Sequence, residues 1–364
     1  GSGGADGIQG GHDGPQNGTG YWSTYGIYSP DSPNSIVDSN DITNFSRAGI
    51  YMTSSDSIAV ANNNMTAIFD NNRANYNAGI SNDNSYGSIF NNNNIHLQNY
   101  SGQLYGIRAS DAEISNNNID ISALQCYNCI ELRGVFADRS TITDNLINLY
   151  YSSGCCSNRD QYGIHSIGAA DEPSLISNNT IDVTLESGGK AIYAEYADIE
   201  SNTIVSDNSA LSISCGSGNS VISFNTITSN STAVQGSNVD SFVISNNSIT
   251  SNSTAINLSS SDALISHNLI ESQGRGIEMS NQSGGEIINN TIVSPNSADY
   301  GIHISNLSAP VVQNNIIEGF TNGIYAENDL QNQFIQNNNL WDISEEMFSG
   351  TAMPALVGEM IDLN

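Results

Sequence analysis

The chain is predicted to fold as an all-β solenoid, and three features of its sequence say so. A short motif, apolar–x–x–Asn–x–apolar, recurs along the chain, as in SLISNNTIDV at 174–183, FVISNNSITS and PVVQNNIIEG. Aligned on its asparagine, the motif falls at Asn40, Asn63, Asn93, Asn117, Asn145, Asn179, Asn202, Asn225, Asn247, Asn268, Asn290, Asn315 and Asn338. The spacing stays near 23 residues over some 300 positions, which is the mark of stacked repeats. Each repeat is rich in Ile, Val, Ser, Thr and Asn and lacks a 3.6-residue apolar period, so the units are strands and not helices.

The repeat can be justified element by element. The apolar residue before each asparagine lies three positions away and the one after lies two. Strand alternation needs an even spacing for a shared face, so the chain must bend near the asparagine. Asparagine tolerates the left-handed region better than other non-glycine residues, which suits such a bend. A second strand precedes each asparagine by about 10–15 residues, often as Gly-Ile-x, in YGIYS, AGIYM, YGIRA, YGIHS, RGIEM, YGIHI and NGIYA.

This pattern resembles the right-handed parallel β-helix family, whose pectate-lyase members carry an internal asparagine ladder. The resemblance covers roughly residues 26–343. It implies a single-stranded, right-handed parallel β-helix of about thirteen coils, with Asn117, Asn145, Asn179, Asn202, Asn225, Asn247, Asn268, Asn290, Asn315 and Asn338 stacked inside one corner. That fold serves lyases, hydrolases, epimerases, adhesins, tailspikes and surface-layer proteins, so it does not by itself assign a function.

Residues 1–20 are Gly-rich and contain GGADGIQ followed by GGHDGPQ. They read as a flexible tether. Calcium binding as in β-rolls is the alternative, although the full Gly-Gly-x-Gly-x-Asp pattern is missing. No other cofactor or metal is expected. The β-helix is assigned to 21–343, and the aperiodic 344–364 to a cap over the last coil, whose open end would otherwise expose strand edges. Three repeats are too long, placing insertions around 66–86, 122–130 and 150–162. Excess length leaves a solenoid as a loop, where function tends to reside.

The last two insertions lie on adjacent coils and carry Cys126 and Cys129, then Cys155 and Cys156. Two disulfides between the loops, or a four-cysteine zinc site, would each use these residues. Vicinal cysteines cannot easily place both sulfurs tetrahedrally on one metal, so disulfides are favoured. Cys215 reads as a small buried thiol.

The formal charge is −29, from 37 acidic and eight basic residues. Such a surface repels nucleic acid and disfavours anionic membranes. No run of about 18 apolar residues exists to span a bilayer. Solubility rests on Asn, Ser and Thr, which suits an extracellular or cell-surface setting. Sequons at Asn17, Asn44, Asn252 and Asn306 permit glycosylation.

Five of the eight basic residues, Arg108, Arg133, Arg139, Arg159 and Lys190, cluster on the middle coils. Taking the residue after each Gly-Ile as outward gives Tyr28, Tyr51, Ser81, Arg108, Glu131 or Arg133, His165, Tyr193, Ser214, Gln235, Asn257, Glu278, His303 and Tyr325. Arg108, Arg133, Arg159, His165, Lys190, Tyr193 and Glu195 are therefore the candidate binding residues. Tyr325, Glu327 and His303 form a second cluster.

Two function classes follow. A polysaccharide lyase would neutralise a uronate with Arg108, Arg133 or Lys190 and use His165 or Tyr193 as base or acid. A glycoside hydrolase would use the Glu131 and Glu195 carboxyls. Against catalysis, the polygalacturonase-like NTD, DD, GHG and RIK set and the epimerase DPHE are missing, as are HExxH, P-loop and GxSxG patterns. A surface protein that binds glycan or a partner protein, acting in adhesion or surface architecture and able to oligomerise, needs none of them. It is the favoured reading.

Overall fold

The computed structural model describes residues 25–69, 77–99, 102–123, 131–151, 161–185, 188–214, 218–327, 335–350 and 357–358. Among these there is no helix, and every pairing between the named strands for which a register is given is parallel. The chain divides into two compact units, one within residues 1–168 and 174–193, the other within 169–173 and 194–364. Each is a stack of coils. The N-terminal segment 1–20, Cys126, Cys129, Cys155, Cys156, Cys215 and Arg159 lie outside the described residues. Beyond residue 344, strand Glu346–Gly350 still pairs with Ile316–Ala326, so coil stacking continues there.

The cores are made of aligned apolar rows. In the first unit Met65, Ile95, Ile119, Ile147 and Ile181 lie in register on successive coils. A second row runs through Val60, Phe90, Ile114, Ile142 and Ile176. In the second unit Ile204, Ile227, Ile249, Ile270, Ile292, Ile317 and Leu340 do the same. All of these side chains are fully buried. Identical residues stack one above another because the coil length is nearly constant.

Buried asparagines form the corner between these rows. In the first unit Asn93 Nδ2 donates to Asn117 Oδ1 at 3.0 Å, and Asn117 Nδ2 to Asn145 Oδ1 at 3.0 Å. The same oxygens accept the backbone N–H of the preceding asparagine, at 3.0 and 2.9 Å. In the second unit the chain of bonds runs from Asn202 through Asn225, Asn247, Asn268, Asn290 and Asn315 to Asn338.

The bend is placed differently from the sequence reading. The left-handed residue is the one before the ladder asparagine: Asn92 (φ 56°), Asn116 (54°), Asp144 (56°), Asn246 (58°) and His267 (57°). The ladder asparagine then turns inward because its neighbour absorbs the kink. This explains the doubled Asn-Asn of the motif, since both positions favour asparagine for separate reasons.

Serines form a further ladder that the sequence reading did not anticipate. Ser55 N donates to Ser85 Oγ at 2.8 Å, and Ala112 N to Ser140 Oγ at 3.1 Å. In the second unit Val239 N, Ser261 N and Ser283 N reach Ser261, Ser283 and Ser308 Oγ at 3.1–3.2 Å. Where coils turn, a buried amide finds a side-chain oxygen on the next coil.

The glycine of Gly-Ile-x is required by close approach of the backbone. A Cβ on Gly134 would lie 2.5 Å from the Gly163 carbonyl oxygen and 2.5 Å from Ile147 Cγ2. At Gly134 the coils stack this closely because the position carries no side chain.

Removing one ladder side chain orphans several buried groups at once. Asn247 serves Ile222 O, Ser245 O, Asn225 N and Asn268 Oδ1. Asn247→Ala should therefore destabilise the protein by about 3 kcal/mol or more, since each buried orphan costs about 1–3 kcal/mol. The exposed Asn252, whose Nδ2 donates to Asn230 Oδ1 at 2.9 Å, is the control. Asn252→Ala should stay within about 0.5 kcal/mol of the native protein. Chemical denaturation of both variants checks this.

Candidate functional site

The Gly-Ile strands of the first unit present one face. They are Tyr25–Pro30, Ala48–Thr53, Asn77–Asp83, Gln103–Ser110, Glu131–Asp138, Gln161–Ile167 and Gly189–Glu195. One row across them runs Tyr28, Tyr51, Ser81, Arg108, Phe136, His165. A second row runs Tyr25, Ala48, Ala78, Tyr105, Arg133, Tyr162. Phe136 stands where Glu131 or Arg133 was expected. The Glu131–Asp138 strand carries Gly134-Val135 in place of Gly-Ile, so the Gly-Ile pattern alone passes over it. In the second unit the corresponding position is Ser212, not Ser214.

The rows are crowded with rings. Tyr25, Tyr28 and Tyr51 stack at 4.8–5.7 Å between centroids, with planes 14–19° apart. Small Ala48 and Ala78 beneath let Tyr25, Tyr51, Tyr105 and Phe136 pack down on the sheet. Further along, His165 meets Phe136, Tyr162 and Tyr193 edge-on, each at 5.0 Å. Tyr162 and Tyr193 stack at 5.3 Å, and Lys190 Nζ sits 5.2 Å from the Tyr193 ring. The structure thus brings together His165, Tyr193 and Lys190 from among the candidates.

Arg133 has a different position from the one its candidacy implies. Its guanidinium lies over Phe136 at 4.7 Å, Tyr105 at 5.5 Å and Tyr162 at 5.7 Å, and it is ion-paired with Glu131. Both partners are only 12 % exposed, and Glu131 also accepts Gln103 Nε2 at 2.7 Å. This is a cation clamped between rings and a carboxylate, so neither group is free for chemistry. Glu195 is the last residue of its strand and belongs to the second unit.

Beside the rings opens a pocket of about 350 Å³, lined by Tyr51, Asp83, Arg108, Ser110, Phe136 and Asp138 among others. Arg108 is ion-paired with Asp83, and Tyr51 Oη donates to Asp83 Oδ2 at 3.1 Å. Ser110 Oγ lies 3.5 Å from Asp138 Oδ2. Asp138 Oδ1 is buried without a hydrogen-bond partner. Burial pushes this carboxyl above the ordinary Asp range, against the pull of Arg139, Ser110 and Arg108. Arg139 itself is held by Asp111, with Nε and Nη2 donating at 2.8 and 2.6 Å.

Sequence reasoning missed Asp83, Asp138, Phe136 and Tyr162. The signal for the two aspartates was present: each lies two residues past an outward position, Ser81 and Phe136, so strand alternation turns it outward again.

The second unit has its own row, Ser212, Gln235, Asn257, Glu278, His303, Tyr325. Buried His303 stacks on Tyr300 and Tyr325, each at 5.1 Å. Its Nδ1 is 3.4 Å from Glu278 and its Nε2 3.8 Å from Glu327. His303 and the ion-paired Arg275 hold the Glu278 carboxyl below the usual Glu range, despite burial. Among the described residues no three His, Cys, Asp or Glu side chains converge as metal ligands. The segment read as a calcium candidate lies outside the described residues. No helix among the described residues is long and apolar enough to cross a membrane.

Residues 162–309 match the family model described as "Right handed beta helix region". The fold is a right-handed parallel β-helix. No curated protein sequence matches this β-helix chain. Among solved structures, it is similar to the Azotobacter vinelandii mannuronan C-5 epimerase AlgE4 A-module. Identity there is 10%, with 87% of this chain and 91% of that chain covered and a TM-score of 0.41. The Dettilon tailspike protein gives 11% identity, 83% and 62% coverage and a TM-score of 0.46. A mannuronic acid specific polysaccharide family 6 lyase from human gut microbiota gives 11%, 87%, 92% and 0.35. The chemistry of this chain is read from its own residues.

Asp138 and Glu278 are shifted in opposite directions and make opposite pH predictions. Asp138, raised on folding, favours the folded state at low pH, and that contribution is lost as pH rises through its folded value. Glu278, lowered on folding, stabilises above the ordinary Glu range and loses that contribution as pH falls through its folded value. Asp138→Asn should melt higher than the native protein near pH 7, with the gap closing near pH 3. Glu278→Gln should melt lower near pH 7, with its gap also closing on acidification. Thermal melts across that range test both signs.

Proposed function

We propose that the aromatic face of the first unit binds polysaccharide, and that the protein works outside the cell or on its surface in adhesion or surface architecture. The observation that carries the reading is the spacing of the rings. Tyr28 and Tyr51, and then Phe136, His165 and Tyr193, stand on successive coils about 4.8 Å apart, close to the advance of an extended sugar chain, with Ser81 and Arg108 on the two coils between the groups. A hexose offers an apolar C–H face, which rings with polar edges cover while hydroxyls bond nearby polar groups. Here those groups are Asp83, Arg108 and Asp138 in the adjoining pocket. Support for the setting comes from composition, with solubility resting on Asn, Ser and Thr and a formal charge of −29.

Preorganisation favours binding over chance exposure. The rings are fixed by one another and by Arg47 and Arg133, whose guanidinium groups lie 4.7–5.8 Å from ring centroids. Rigid aromatic surfaces lose little conformational freedom on contact, so more of the interaction survives as affinity.

The test is a glycan array followed by titration of the strongest polymer. Tyr28→Ala with Tyr193→Ala should weaken that binding at least about tenfold, the loss expected for one well-placed aromatic contact. The melting temperature should change little for the exposed Tyr28. Uniform background across glycans, with capture of a protein partner through the same tyrosines, would replace polysaccharide by protein as the ligand.

A further inference from the structure

The pocket beside the rings has a composition that binding alone does not require. Two carboxyls, Asp83 and Asp138, line it together, in different surroundings. Asp83 is ion-paired with Arg108 and accepts a hydrogen bond from the Tyr51 hydroxyl. Among the described residues Asp138 has no guanidinium within ion-pair distance, and its buried Oδ1 has no hydrogen-bond partner. Burial also favours its protonated form. A cavity holding one carboxylate and one carboxyl that prefers its proton has the two groups that glycoside hydrolysis uses. The aromatic walls, Tyr51 and Phe136, are the ends of the ring rows, so a chain lying on the face passes over the pocket.

The charge balance selects the sugar. Arg108, Arg133 and Arg139 are each tied to a carboxylate, Asp83, Glu131 and Asp111 respectively. A uronate would set a further carboxylate beside Asp83, whose cation Arg108 is already committed, on a chain of formal charge −29. Like charges in a partly desolvated site cost several kcal/mol. Neutral hexose or N-acetylhexosamine units carry no such penalty, and their hydroxyl and amide groups match the polar lining.

We propose that this pocket hydrolyses a glycosidic bond of a neutral polysaccharide, with Asp138 as proton donor and Asp83 as base. The proposal rests on the polysaccharide-binding reading of the same face. Asp138 passes its proton to the glycosidic oxygen as the bond from the anomeric carbon to that oxygen breaks. A water molecule gives one proton to Asp83 while its oxygen forms the new bond to the anomeric carbon. Solvent then returns the proton from Asp83 to Asp138, so the enzyme is restored and one water is consumed. Arg108 and Tyr51 are positioning residues, fixing the Asp83 carboxylate toward the cavity. An elimination is disfavoured because it needs a sugar carboxylate and a free cation to neutralise it.

The experiment incubates the full chain with neutral polymers of hexose and of N-acetylhexosamine and, in parallel, with uronate polymers. Reducing ends, unsaturated products and binding are measured for each. The expected result is new reducing ends from a neutral polymer that the protein binds, with no unsaturated products. Asp138→Asn and, separately, Asp83→Asn should each lower kcat at least about a hundredfold, a loss far larger than any accompanying change in KM. Asp138→Asn should remain folded, since it removes a charge that burial opposes. It should also abolish the alkaline limb of the pH–rate profile in whatever activity is left. Binding without any new reducing ends overturns the hydrolysis and leaves the binding reading standing. Cleavage of uronate polymers, unsaturated products, or undiminished turnover in Asp138→Asn overturns it as well. Failure to bind any polymer overturns both readings together.

Discussion

The structure depends on satisfying backbone amides at the corners of the coils. A parallel strand stack pairs its amides along the straight segments, but each turn leaves an N–H facing the interior. Asparagine at one corner, and serine at another, accepts that N–H from the neighbouring coil. In Asn117 one oxygen takes two bonds from Asn93, while its amide nitrogen donates to the Phe90 and Ser115 carbonyls at 2.9 and 3.0 Å. The ladder is therefore a backbone device built from side chains. It fixes the coil-to-coil register, and register in turn decides which residues share a row.

That register converts a sequence repeat into a surface. Once glycine clears space at each Gly-Ile strand, outward positions of successive coils sit about 4.8 Å apart, and whatever occupies them becomes a continuous row. In the first unit these positions hold Tyr28, Tyr51, Arg108, Phe136 and His165. In the second unit the early positions hold Ser212, Gln235 and Asn257, and aromatic crowding returns only at His303 and Tyr325. The same scaffold thus carries a ring-rich face and a plain one, the difference lying in a few residues per coil.

The fold was legible in the sequence because the ladder imposes a strict pattern. An inward asparagine every 23 or so residues cannot be hidden by variation elsewhere. The bend was misplaced by one residue, since both the left-handed position and the ladder position favour asparagine and are adjacent. The site was legible only in part. Arg108, His165 and Tyr193 came from the outward position that follows each Gly-Ile-like pair, and Lys190 from the cluster of basic residues. Phe136 was missed because it follows Gly134-Val135 and not a Gly-Ile pair. Asp83 and Asp138 were missed because one outward position per coil was followed when alternation offers two. The cysteine loops gave no such test, as they lie outside the described residues.

The cations show why composition misled where geometry did not. Basic residues on an acidic chain look like a binding site for acidic sugar, since they cluster where the loops do. In place, Arg133 is enclosed by three rings and Glu131, Arg139 is bidentate on Asp111, and Arg108 is committed to Asp83. Each neutralises a carboxylate that the strand register forces into the face. With them removed from the list of free charges, the remaining chemistry of the face is aromatic and carboxylic. Asp138 then stands out in the pocket: burial works against its charge near neutral pH, a cost that Arg139, Ser110 and Arg108 offset only in part. A group retained against stability in the lining of a pocket is the kind of residue that function, not folding, accounts for.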